Sequence, residues 1–489
     1  MAIGKSQSLF QIEIRRTMIH KYINNDYYIV IDGNSGAVHQ IDEEIYEVLD
    51  ILEKNFSDIE LRKIAEHRVS DENFTEGFSE TENLILRNIE IKKNNVREIL
   101  EELFSLIREG SLFSQDVFEE VAHILKKQQS VLKAICLHVA HSCNMDCGYC
   151  FAGKGEYHGE AQIMSWETGK KALDFLYENS GNRQNLEVDF FGGEPLLNWN
   201  IVKKLVHYGR SLEKKGDKKF RFTLTTNGLM LSEDIIKFCE EEMSNVVISL
   251  DGRKEINDRM RRTKQGKGTY DMIIPSFRKL AKHMKDRQYY MRGTYTAYNK
   301  DFSKDIIHMA DLGFRELSME PVVCSSAEDY ALREEDIPEL FEEYDRLALE
   351  MIKRKKENRG FNFYHFNIDL EGGPCAAKRI SGCGVGTEYL AVTPEGKLYP
   401  CHQFVGKEEF LLGDLTQGIV HKDILKTFEE CNIYSRKECR DCFAKLYCSG
   451  GCSANAYNAN GKIDTVHEFS CRLHRKRIEC AIMLKMALL

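Results

Sequence analysis

Two apolar runs flank a polar break in "YYIVIDGNSGAVHQI", Tyr27 to Ile41, and Asp32-Gly33-Asn34 at the break predicts a β-hairpin. The period then lengthens. Asp42 precedes "EEIYEVLDILEK", in which Ile45, Val48, Leu49 and Leu52 share one helical face while Glu43 and Glu44 suit a helix N-terminus. After the acidic stretch "SDENFTEGFSETEN", expected to be mobile, a stripe of Val96, Ile99, Leu100, Leu103 and Ile107 predicts a second helix ended by Gly110. From about residue 133 strand and helix patterns alternate. Strands are expected at "AICLHVA", "LEVDFF", "FRFTLTT", "NVVISL", "YYMRGTYT" and "RELSMEPV", with helices such as "SWETGKKALDFLYENSG" and "SEDIIKFCEEE" between them. Six βα units in succession predict an α/β fold whose parallel sheet curves into a partial barrel, with function at the C-terminal strand ends.

The 489 residues suffice for two or three domains. A net charge of −9 argues against a general nucleic-acid binder. No apolar run reaches the length of a membrane span, and "MAIGKSQSLFQIEIRR" has no signal-peptide core, so no membrane role and a cytoplasmic location are expected. The 16 cysteines then belong to a reducing compartment, where clustered thiols bind metal more often than they form disulfides.

Three of them, Cys143, Cys147 and Cys150, stand in "HSCNMDCGYCF" directly after the first expected barrel strand. A closed zinc site wants four ligands, which His141, His138 or Cys136 could complete; a cubane iron-sulfur cluster with one open iron needs only the three. Other strand ends carry complementary groups. Gly192-Gly193-Glu194-Pro195 follows the second strand: the glycines admit a close ligand, and Glu194 with Pro195 is an acceptor in a rigid turn. Thr225-Thr226-Asn227-Gly228 ends the third, Ser249 and Asp251 end the fourth, and Arg292 lies in the fifth. Such hydroxyl, amide, carboxylate and guanidinium groups suit a ribose and an amino-acid carboxylate.

CxxxCxxC after the first strand together with "GGEP" resembles the radical S-adenosylmethionine (SAM) enzymes over roughly residues 133 to 325. The resemblance implies a TIM-like partial (β/α)6 barrel in which Cys143, Cys147 and Cys150 hold a 4Fe-4S cluster whose fourth iron is chelated by SAM. It carries over Gly192, Gly193, Glu194 and Pro195 as contacts to the SAM amino group, Ser249 and Asp251 to the ribose, Arg292 to the carboxylate and Tyr149 to the adenine edge. Reductive cleavage of SAM would give a 5′-deoxyadenosyl radical, the protein supplying position and exclusion of water and oxygen.

Ten cysteines lie beyond residue 370. "CGVGTEYLAVTPEGKLYPC" contains Cys383 and Cys401 around a "TPEG" turn, "CRDCFAKLYCSGGC" contains Cys439, Cys442, Cys448 and Cys452, and Cys471 follows. By spacing, two zinc sites compete. The order resembles the SPASM extension, which implies two auxiliary 4Fe-4S clusters, making three in all: Cys383, Cys401 and Cys452 on the first, and Cys439, Cys442, Cys448 and Cys471 on the second. Either Cys375 completes the first set or that cluster has an open iron able to take a substrate thiolate. Cys136, Cys239, Cys324, Cys431 and Cys480 are expected to be packing residues.

The N-terminal hairpin and helix resemble the winged-helix domain that recognises precursors of ribosomally made peptides, binding a leader by strand addition; the plainer reading is a scaffold appendage. With "MIHKY", "GNSGAVHQ" and "CHQFVG", the chain is most similar to maturases of cysteine-rich, six-cysteines-in-forty-five (SCIFF) peptides, which form thioethers. That resemblance begins at Met18, which is expected to be the true start. The domains expected are a precursor-recognition domain at 18–125, the barrel at 130–325, a helical bridge at 326–374 and the SPASM domain at 375–489. The partners expected are a cysteine-rich precursor peptide and an electron donor such as ferredoxin or flavodoxin. The competing readings are an anaerobic sulfatase-maturing enzyme, a carbon-carbon peptide crosslinker, and an iron-sulfur electron carrier that binds peptide without radical chemistry.

Overall fold

The computed structural model describes residues 18–70, 76–129, 131–284, 288–370 and 375–489. The segment before Met18, part of the acidic stretch and the Gly372-Gly373-Pro374 context of Cys375 lie outside these.

The chain divides into two compact units. The first runs to Val117 and includes Asp441–Leu446 from far along the sequence. Its sheet is antiparallel, β1 (Ile19–Asn24), β2 (Tyr27–Asp32) and β3 (Val38–Ile41), with the expected hairpin as β2 and β3 and with β1 added on the other side of β2. The Asp42 carboxylate accepts the Ile45 N–H at 2.8 Å and so caps α1 (Glu43–Asn55) as its position suggested. Two further helices, α2 (Asp58–Ser70) and α3 (Glu76–Asn88), precede α4 (Lys93–Arg108). The mobile reading of residues 70–83 therefore fails from Glu76 on, where Leu84 and Ile85 anchor an acidic helix in the core. Val48, Leu49, Leu52, Val96, Leu100 and Leu103 fill that core, confirming both stripes. The turn after β2 is tied by Asp32, whose carboxylate accepts the Asn34, Ser35 and Ser114 N–H groups at 3.1, 2.8 and 2.9 Å. Lys445, 2% exposed, reaches Asn34 Oδ1 at 2.8 Å and Asp116 Oδ2 at 2.6 Å, so the inserted segment brings its own buried ion pair.

In the second unit the six barrel strands are Ala134–His141, Asn185–Gly192, Lys219–Thr226, Asn245–Ser249, Gln288–Tyr295 and Glu316–Pro321, adjacent in chain order and all parallel. Helices Trp166–Asn179 and Glu233–Glu242 begin at Ser165 and Ser232, whose hydroxyls accept the first-turn N–H groups of Thr168 and Ile235. One side of the sheet is covered by helices: Phe190 stacks on Phe222, and Gly209 of the helix Trp199–Leu212 sits so close that a Cβ there would lie 2.6 Å from the Phe222 ring. The sheet does not close. Beyond the first strand it continues into Tyr389–Val392, parallel to it, and then into Lys397–Tyr399, the hairpin expected at "TPEG". The 20-residue helix Ile337–Lys356 follows the sixth strand, and Glu468–Met486 packs on it.

Candidate active site

Cys143 follows the first barrel strand, and Cys147 ends a short strand, Met145–Cys147, that pairs antiparallel with Arg261–Thr263. The loop is tightly backed. Gly193 N–H donates to Ala140 O at 2.8 Å and Glu194 N–H to Ser142 O at 2.9 Å, which ties "GGEP" to the cysteine loop. A Cβ on Gly192 would lie 2.2 Å from Ala140 O, on Gly193 2.2 Å from Ser142 O, and on Gly155 2.9 Å from the Cys143 Cβ. Close approach is therefore required here by the backbone itself.

The three thiols act on one another, and burial pushes Cys143 up and Cys147 up to about 12 although Arg261 opposes it. Thiols so placed become thiolates when a metal supplies the charge, and binding then releases their protons. Among the described residues no three His, Cys, Asp or Glu side chains are grouped to hold a single metal ion. Three half-buried thiols of one loop fit a cluster that takes one thiolate per iron.

Glu194 is 1% exposed, and its carboxylate accepts from Leu196 N at 3.0 Å, Thr226 Oγ1 at 2.8 Å and Asn227 N at 2.8 Å. Burial raises its pKa against these three donors. The side chain thus braces the third strand end. Pro195 opens the one-turn helix Pro195–Asn198. Asn227 Nδ2 approaches Cys143 Sγ at 3.6 Å.

Ser249 and Arg292 are register partners on neighbouring strands, so the structure brings these two together. Arg292 is exposed and makes no ion pair with a described residue. Asp251 is drawn elsewhere: it is buried, accepts the Tyr149 hydroxyl at 2.5 Å and the Thr294 N–H at 3.0 Å, and Arg261 Nη1 reaches the same hydroxyl at 3.1 Å. Burial and the Asp251 carboxylate hold the Tyr149 phenol well above its ordinary pKa. Tyr149 and Asp251 therefore form one hydrogen-bonded unit with Arg261, a buried cation that nothing in "DRMRRTK" singled out.

In the extension, Cys401 is acted on by Cys452 and Cys383, and Cys452 by Cys383, so these three are brought together. Cys375, exposed at the start of the helix Ala376–Ser381, is not among the groups acting most on them. Cys439, Cys448 and Cys471 form a second group, in which His474 holds Cys448 down to about 7 against burial. Cys442 belongs to the segment Asp441–Leu446 of the first unit. Of the expected packing cysteines, Cys136, Cys239, Cys431 and Cys480 are buried, but Cys324 is exposed just past the sixth strand. Sequence reasoning also missed Glu320, His365 and Arg477, which meet only in three dimensions.

Residues 137–313 match the radical SAM superfamily, and residues 383–443 match the SPASM iron-sulfur cluster-binding domain. The chain is 26% identical over 317 residues to the radical SAM cyclopropyl synthase TigE of Paramaledivibacter caminithermalis, covering 60% of this chain and 58% of that enzyme. It is 24% identical over 337 residues to a cysteine-type anaerobic sulfatase-maturating enzyme of Clostridium novyi, covering 64% and 86%. The structure of anSMEcpe with bound AdoMet superposes with a TM-score of 0.60 at 19% identity, over 73% of this chain and 95% of that one, a likeness of fold. The described residues contain no helix long and apolar enough to cross a membrane. The cysteine loop and the partial barrel thus lie in a segment that matches the radical SAM superfamily, and the second run of thiols begins in one that matches the SPASM domain, domains that imply SAM and 4Fe-4S clusters as cofactors.

Proposed function

We propose that this chain matures a ribosomally made, cysteine-rich precursor peptide by joining a cysteine sulfur to a carbon of another residue as a thioether. The observation that carries the reading is the grouping of three protein thiols at the first auxiliary site, where Cys383 acts on both Cys401 and Cys452 and Cys452 acts on Cys401. A cluster held by three protein thiolates has an iron for a fourth, and a substrate cysteine supplies it.

In this reading Cys143, Cys147 and Cys150 would hold the cluster that supplies the electron for SAM cleavage, and this chain's residues do the rest. The "GGEP" backbone receives the SAM amino group, Arg292 its carboxylate, and Ser249 the ribose. The Asp251–Tyr149–Arg261 unit supports the cysteine loop. In the N-terminal unit, the outer edges of β1 and β3 offer backbone groups to a leader strand. An electron donor such as ferredoxin or flavodoxin supplies the reducing equivalent.

The test is to incubate reconstituted, reduced enzyme with SAM and a synthetic six-cysteine precursor carrying its leader. A product lighter by two hydrogens, with one cysteine no longer alkylated after reduction, supports the thioether. A hydrazide-reactive aldehyde on a cysteine-containing sulfatase peptide would instead support formylglycine formation, the second reading, which the Clostridium novyi relative favours.

A further inference from the structure

The strand Arg261–Thr263 is fastened to the cysteine loop along its length: Arg261 stands opposite Cys147, Arg262 opposite Asp146 and Thr263 opposite Met145, and Gly148 N–H donates to Met260 O at 2.8 Å. The chain then turns back at once. Gly266 N–H donates to Thr263 O at 2.8 Å, Thr263 N–H to Lys267 O at 2.9 Å and Thr269 Oγ1 to Arg261 O at 2.9 Å, which closes a tight hairpin. Its side chains alternate: Arg261 and Thr263, each 7% exposed, face inward, while Arg262, Lys264 and Lys267 are exposed. Residues 261–269, "RRTKQGKGT", carry four cations and no carboxylate in a chain of net charge −9. Arg262, Lys264 and Lys267 make no ion pair with a described residue, and Arg262 Nε donates to the backbone Asp258 O at 3.1 Å. The acids on the adjoining segments are engaged elsewhere: Asp146 pairs with Lys154 at 3.1 Å, Asp258 with Lys254 at 3.8 Å, and Glu255 lies 4.0 Å from Arg253.

We propose that the hairpin Arg261–Gly268 is the docking surface for the electron donor, an acidic one-electron carrier protein of the flavodoxin or ferredoxin kind. The inference rests on the reading of Cys143, Cys147 and Cys150 as the holders of the cluster that receives the electron. One electron leaves the reduced carrier and one enters the cluster, with no bond or proton changing hands. Two properties of the hairpin suit this transfer. Its exposed side is cationic where the chain as a whole is anionic, so it draws an acidic partner to this place in preference to the rest of the surface. Its inner edge pairs with the strand that ends at Cys147, so a partner seated on it is one strand away from a cluster thiol. The cations are also held in place beforehand: a Cβ on Gly268 would lie 2.3 Å from Asp258 Cγ, so the hairpin packs directly on the helix Lys254–Met260 and little ordering remains to be done on binding. Exposed ion pairs add little to stability, and these three cations lack even such a pair, so the fold itself gives no reason for their charge.

The test compares wild type, the neutral variant Arg262→Ala/Lys264→Ala/Lys267→Ala and the reversal variant Arg262→Glu/Lys264→Glu/Lys267→Glu as reconstituted holoenzymes matched for iron content. 5′-Deoxyadenosine formation from SAM is driven in parallel by limiting photoreduced flavodoxin, by limiting reduced ferredoxin and by dithionite, a small reductant that needs no docking surface. Flavodoxin binding is measured separately by fluorescence titration. At low salt the reversal variant should lose on the order of ten- to a hundredfold in carrier-driven rate and in flavodoxin affinity, and the neutral variant less, while the dithionite-driven rate stays at the wild-type value. Wild type should fall toward the variants at about 0.5 M salt, where screening shortens the reach of the cations. Equal carrier-driven rates in wild type and the reversal variant overturn the proposal. A loss shared by dithionite, or one indifferent to salt, makes the hairpin a structural brace and overturns it too. Weaker binding of the six-cysteine precursor with carrier-driven rates intact assigns the cations to the peptide instead. Wild type that responds to dithionite but to neither carrier overturns the docking surface and leaves SAM cleavage standing, whereas no 5′-deoxyadenosine with any reductant overturns both. Should the triple reversal not fold, Lys264→Glu in the turn decides by the same ratio of carrier-driven to dithionite-driven rate.

Discussion

Asp58 stands at the first turn of α2, with Oδ1 buried and without a hydrogen-bond partner among the described residues. Burial lifts its carboxyl to about 6 although Arg62 pulls it down. The folded state then binds a proton that the unfolded state, near its ordinary value of about 3.9, has already lost, so stability falls as pH rises between about 4 and 6. Asp58→Asn should leave the unfolding temperature unchanged near pH 4 and raise it at pH 7.5, read by thermal denaturation at both. Tyr149→Phe removes a donor from the buried Asp251 and should lower stability by about 1.5–3 kcal/mol, measured by denaturant titration. The opposite arrangement holds at the cluster loop. Replacing Cys143, Cys147 and Cys150 together with alanine should remove 5′-deoxyadenosine formation while iron and sulfide bound at the auxiliary sites persist; retained SAM cleavage would contradict the assignment.

Among the elements, the cysteine loop is packed with little slack. Gly155 has φ +90°, and a Cβ there would lie 2.7 Å from Gly193 Cα as well as against Cys143. Gly155→Ala should therefore displace the loop from "GGEP", lowering iron content by one cluster's worth and SAM cleavage in parallel, as checked by iron analysis and product chromatography. Elements with strong periodicity were legible: α1, α4 and all six barrel strands lie where their apolar positions put them. The helix α2 was not. Its apolar residues Ile59, Leu61, Ile64 and Ala65 make no wide stripe, and its charged neighbours resemble a loop. The strand β1 escaped notice because six residues with Lys21 and Asn24 carry a weak signal that only pairing with β2 reinforces.

On the scale of the whole molecule, the reading of the N-terminal unit as a leader-binding domain predicts that precursor affinity resides mainly in the leader. A leaderless precursor should bind the full chain at least roughly tenfold more weakly in fluorescence titration, while basal SAM cleavage is the same with either peptide; equal affinities would make the unit a structural appendage. Lys445 sits far from that unit in sequence yet is buried within it against Asp116. Lys445→Ala should cost about 3–5 kcal/mol, because it strands a carboxylate that was desolvated with its partner.

Local chemistry was written into the chain: apolar periodicity predicted the partial barrel, and thiol spacing with the glycines of "GGEP" carried the resemblance from which SAM cleavage and the auxiliary cysteines are expected. Long-range pairing was not. Arg261 meets Tyr149 only because two short strands pair antiparallel, and Tyr389–Val392 joins the barrel sheet beside a strand some 250 residues earlier. His365 reaches Ser318 and Glu320 because the chain returns, after a 20-residue helix, to the edge of the sixth strand. A buried polar group takes whichever partner folding brings within about 3 Å, and no spacing along the sequence encodes that choice.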